Sequence, residues 1–118
     1  MEENKMRELT QAGIDMESVM ERFMNNDNMV TKFMLKFPED TNIDKFRQAM
    51  KDNNVKDAFA AAHTIKGLCK NLSLQALDKV FSEITELLRA EDMEKAKAML
   101  SDAEEEYART VKLIRDNF

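Results

Sequence analysis

The chain has 118 residues, a net charge of −5, 43% hydrophobic and 35% charged residues, which suits one helical domain with its own core and excludes a disordered segment. The acidic balance argues against nucleic acid and against anionic membrane surfaces as main partners. With two Gly and one Pro, sheets joined by tight turns are not expected, and the single Cys69 has no internal disulfide partner. No apolar run approaches the roughly 18 residues of a membrane span, and no signal-peptide pattern opens the chain, so a cytoplasmic location is expected.

In chain order, residues 4–12 read as a short helix closed by Gly13, a favoured residue just past a helix end. Asp15 is placed to cap a second short helix, Met16 to Met24, whose Met16, Met20 and Met24 recur at helical spacing. A methionine stripe can hold a soft metal. Core packing is the better reading, because thioethers fill irregular gaps and methionines are spread through the whole chain. After the polar break Asn25-Asn26-Asp27, a helix from Met29 to Phe37 is stopped by Pro38. Thr41 or Asn42 is expected to cap the next helix, Ile43 to Met50, and Asp52-Asn53-Asn54 marks a turn or kink.

From about Val55 to Leu72 the chain reads as one long helix containing the only histidine. Ala58, Ala61, Ala62, Ile65, Leu68, Cys69 and Leu72 form its core stripe, and His63 falls about 160° from the centre of that stripe on a helical wheel. Lys66, Gly67 and Lys70 lie one and two turns further along the same face, with Lys56 and Phe59 before it. Phe59 falls at about 120°, where it either meets a partner or packs against the N-terminal helices. An exposed imidazole is a usable nucleophile near neutral pH. A lysine one turn away stabilises an anion built on it. Glycine inside a helix costs about 1 kcal/mol relative to Ala, which something such as the close approach of another protein should offset.

Ser73 is expected to cap the following helix, Leu74 to Arg89, and Asp92 the last, Met93 to Asp116. The run Glu104-Glu105-Glu106 reads as a solvated face, since no second histidine accompanies it. The fold class expected is all-α: an antiparallel up-and-down four-helix bundle over about residues 28–117, preceded by short helices over about 4–24, in one domain spanning 1–118. Other chemistries fall away. No glycine-rich phosphate loop is present, one histidine builds no His-pair metal site, and Cys69 lies near the opposite face of the helix from His63.

The segment Ala62-His63-Thr64-Ile65-Lys66-Gly67, with Asn71-Leu72 after it, closely resembles the central motif of histidine-containing phosphotransfer (HPt) domains. Gly13-Ile14-Asp15, the helix after it, and Phe37 with Glu39-Asp40 resemble the N-terminal region of that family, so the likeness spans roughly residues 9–116. The resemblance implies that His63 is the phosphoacceptor, that Lys66 helps neutralise the phosphoryl group and that Gly67 leaves room for the partner. Phe59, Lys70 and Lys56 are the expected docking residues. It further implies a phosphocarrier between receiver domains of response regulators or hybrid histidine kinases, with no kinase activity and no cofactor of its own, Mg²⁺ belonging to the receiver. A monomer is expected, since no long exposed heptad seam argues for a dimer. The sequence departs from the pattern at Ser73, where a glycine usually closes the helix, and carries bulkier residues at Leu74 and Phe81. A helical adaptor that docks its partner without carrying phosphate is the alternative.

Overall fold

The computed structural model describes residues 1–118, and every regular element in it is helical. Helices α1 (Glu3–Ala12), α2 (Met16–Arg22) and α3 (Asp27–Lys36) lead through a 3₁₀ turn (Phe37–Glu39) to α4 (Asn42–Lys51), α5 (Val55–Asn71), α6 (Gln75–Arg89), α7 (Met93–Ala98) and α8 (Leu100–Asn117). The bundle is built from α4, α5, α6 and α8. Helix α5 packs against both α4 and α6, and α8 packs on α6. Three-residue loops join α4 to α5, α5 to α6 and α6 to α7, which makes α4, α5 and α6 antiparallel neighbours.

The apolar periodicity becomes the core. Ala58, Ala61, Ala62, Ile65 and Cys69 of α5 are buried against Leu77, Phe81, Ile84 and Leu88 of α6, Phe46 and Met50 of α4, and Ala103 and Ile114 of α8. Phe46 and Phe81 meet edge to face with centroids 5.2 Å apart, a contact that adds about 1 kcal/mol to the burial of both rings. Across the bundle, Arg47 of α4 holds Glu104 of α8 through two bonds of 2.7 and 2.8 Å. Glu106 pairs with Arg109, so only Glu105 of the acidic run has no ion-pair partner.

Four expectations about helix ends are corrected. The side chain that caps α4 is Asp40, which accepts from the Asn42 N–H at 2.8 Å, while Thr41 makes no side-chain cap bond. Met24 lies beyond α2 with φ 57° and is 89% exposed, so it leaves the core stripe of Met16 and Met20. The helix expected over Met93 to Asp116 breaks at Met99, whose N–H reaches back three residues to Ala96 and not four. Ser73 does not cap α6. It adopts φ 55°, and Leu74, the residue before α6, makes no side-chain cap bond.

These ends share one geometry. At Gly13, Asn53, Ser73 and Glu91 a left-handed residue lets the next N–H bond the carbonyl five residues back: Ile14 to Leu9, Asn54 to Ala49, Leu74 to Cys69 and Asp92 to Leu87, each at 2.9 Å. Glycine meets this requirement without strain, yet it occurs only at the first of the four. At the exposed Glu91 a glycine relieves about 1 kcal/mol of left-handed strain and returns part of it as unfolded-chain entropy. Glu91→Gly is therefore expected to stabilise the fold by about 0.5 kcal/mol in urea denaturation; a loss of stability would contradict this account of the turn.

The N-terminal helices are stitched to the α5–α6 corner. The Asp15 N–H donates to the Ser73 carbonyl at 2.9 Å, and the Ala76 N–H donates to the Gly13 carbonyl at 3.2 Å. Arg22 donates to the Asn71 carbonyl at 2.8 Å and to Ser73 Oγ at 3.0 Å, and Ser73 Oγ donates to Ser18 Oγ at 3.1 Å. The Ser73 hydroxyl thus offsets part of its backbone strain with bonds a glycine would not make. Gly13 itself has φ 116°, and a Cβ there would stand 2.7 Å from the Cβ of Ala76, so this contact admits only glycine.

Candidate functional site on the outward face of α5

Helix α5 starts with Asn54 accepting from the Asp57 N–H at 3.0 Å and runs for 17 residues without a break. Its buried stripe fixes its rotation, so the opposite face must look outward. His63 and Gly67 are exposed there and Lys66 is half-buried. A Cβ built on Gly67 meets nothing within 4 Å. Nothing inside this chain therefore requires glycine at that position, in contrast to Gly13.

The other candidates divide. Lys56 is exposed in the first turn of α5. Lys70 is also exposed, but its ammonium is bonded to Asp78 of α6 at 3.1 Å, which couples its charge to the bundle. Phe59 packs against the edge of the bundle core. It is half-buried, stacks on the His63 ring with centroids 5.8 Å apart and planes 21° from parallel, and carries the Arg89 guanidinium 4.9 Å from its centroid. Arg89 was not among the residues expected at the site. Its place follows from the hairpin: α6 runs antiparallel to α5, so the end of α6 comes beside the beginning of α5.

Beneath this face, Cys69 is fully buried, and desolvation pushes its thiol well above the ordinary range, with the Asp78 charge adding to the rise and Lys70 opposing it. Cys69 is expected to react with a water-soluble disulfide reagent only as the protein unfolds; prompt labelling of the native chain would contradict that burial. A surface groove of about 440 Å³ runs between α4 and α5, bounded by Lys45, Gln48, Asp57, Ala60 and Thr64. It reaches α5 beside the histidine, and His63 is not among its walls. No group of three or more His, Cys, Asp or Glu side chains is placed to hold a metal ion, and no helix is long and apolar enough to cross a membrane.

Fold and site together define a helical bundle that presents one histidine, beside a lysine and a glycine, on the outside of a central helix. The Hpt domain family model matches residues 28–113, from α3 into α8, and the chain belongs to that family. Membership places it, in general terms, in histidine phosphotransfer of two-component signalling, where Hpt domains interact with receiver domains. No curated protein and no solved structure matches the chain. The match begins after α1 and α2, so the helices stitched to the α5–α6 corner lie outside it.

Proposed function

We propose that this protein is a phosphocarrier, taking a phosphoryl group on His63 from the aspartyl phosphate of one receiver domain and passing it to another. The observation that carries the reading is the outward histidine with Lys66 one turn on and an open Gly67 beside it, inside the family match. An unprotonated ring nitrogen of His63 attacks phosphorus in line. The N–P bond forms as the acyl P–O bond breaks, and the aspartate leaves as a carboxylate with the bonding pair. The proton on the other ring nitrogen stays in place. Lys66 supplies positive charge beside the new phosphoryl group, and the bare Cα of Gly67 lets the receiver bring its own acidic pocket and Mg²⁺ close. The carrier then needs no cofactor, and the exposure of His63 outside the groove between α4 and α5 suits a protein donor better than a small substrate.

The test is incubation with a panel of phosphorylated receiver domains, read as acid-labile phosphate on the chain. Stable binding of a receiver with no phosphohistidine from any donor would instead mark a helical adaptor. Lys66→Ala is expected to slow transfer roughly tenfold, less than the roughly hundredfold cost of losing a water-excluded donor because solvent screens this surface lysine, while changing stability by no more than about 0.5 kcal/mol. An unchanged transfer rate would remove Lys66 from the mechanism.

A further inference from the structure

We infer that Phe59 is a positioning residue that holds the plane of the His63 imidazole, with Arg89 steadying Phe59 from α6. The first ground is the weakness of every other restraint on the ring. The final torsion of a histidine side chain is broad, so an exposed imidazole with no partner samples many orientations. No side-chain hydrogen bond or ion pair involves His63, and the neighbouring Thr64 hydroxyl donates to the Ala60 carbonyl at 3.0 Å. The contact that restricts the ring is the Phe59 face, 5.8 Å away and 21° from parallel.

The second ground is that Phe59 is itself held. It is half-buried and lies one helical turn before His63, on the adjoining part of the same face. The Arg89 guanidinium lies 4.9 Å from its centroid, and Glu86 holds the Arg89 Nε at 3.2 Å. Glu86, Arg89, Phe59 and His63 thus form a continuous chain of contacts from the end of α6 to the imidazole. An offset ring contact of this kind occupies neither ring nitrogen, whereas a hydrogen bond would occupy one of them. This inference rests on the phosphocarrier reading for its consequence, because in-line attack is sensitive to nucleophile orientation, and displacements of about 1 Å cost up to roughly a hundredfold in rate. It also reassigns Phe59 from a docking contact to a support for the histidine.

The two parts are tested separately. With one histidine in the chain, its ring C–H resonances are unambiguous in an NMR spectrum. They are expected upfield in the parent, to move toward ordinary histidine values in Phe59→Leu, and to recover in Phe59→Tyr. A smaller shift in the same direction is expected in Arg89→Met, which leaves α5 unaltered. Unmoved His63 resonances in Phe59→Leu would overturn the support role, and unmoved resonances in Arg89→Met would overturn the part assigned to Arg89. In transfer from a phosphorylated receiver, Phe59→Leu is expected to lower kcat roughly tenfold with the half-saturating receiver concentration unchanged. A raised half-saturation with kcat intact would make Phe59 a docking residue and overturn the positioning role. If the parent accepts no phosphate from any receiver, the phosphocarrier reading fails, and the resonances still decide whether Phe59 holds the ring.

Discussion

His63→Gln is expected to fold as the parent does and to accept no phosphoryl group from any receiver. The two halves of this result have separate causes. The imidazole is exposed and hydrogen-bonds no other side chain, so its loss leaves no buried partner unsatisfied. What disappears is the stack on Phe59, and stability should fall by no more than about 1 kcal/mol. The chemical loss is complete because the amide of glutamine is no nucleophile and the chain has no second histidine. Urea denaturation and phosphate incorporation measured on one preparation separate the two. Incorporation equal to the parent would remove His63 from the mechanism, and a large loss of stability would contradict its exposure.

Gly67 is expected to show opposite signs for stability and transfer. Gly67→Ala should stabilise the fold by up to about 1 kcal/mol, because the added Cβ enters open space and alanine favours the helix. Gly67→Gln should also fold well, yet its side chain would occupy the space beside His63 where a receiver must come closest. Transfer should then fall by at least roughly tenfold, a cost typical of displaced reacting groups, and more than in the alanine variant. A glutamine variant that transfers at the parental rate would show that close approach is not the reason for glycine here. Gly13, the other glycine, answers to a different physical constraint, since its left-handed φ and the Ala76 contact account for it entirely within the chain.

The core of α5 was legible in the sequence because helix rotation is set by where apolar side chains recur. Ala58, Ala61, Ala62, Ile65 and Cys69 could only be satisfied by facing inward, and that alone turned His63 and Gly67 outward. The N-caps Asp15 and Asp92 do what their residue types promise, each accepting a backbone N–H of the first turn, and Asn54, read only as part of a turn, caps α5 in the same way. The α5–α6 corner was less legible. Serine favours an N-cap, but Ser73 takes the left-handed position, and its hydroxyl is engaged by Arg22 and Ser18, distant residues that no local pattern reveals. Asp40 and not Thr41 caps α4, and Met99 breaks the last helix without the Gly or Pro that would announce it. The Arg89–Phe59–His63 chain was hidden for a further reason: one of its members comes from another helix, and only the antiparallel pairing of α5 with α6 brings it there.

The most direct test of the phosphocarrier reading is to mix the purified chain with a phosphorylated receiver domain and identify the modified residue by mass spectrometry under neutral conditions. A single acid-labile phosphate on His63 is expected, with matching loss from the receiver aspartate and onward transfer to a second, unphosphorylated receiver. A chain that binds the receiver and stays unmodified, or that carries its phosphate on any other residue, would contradict it.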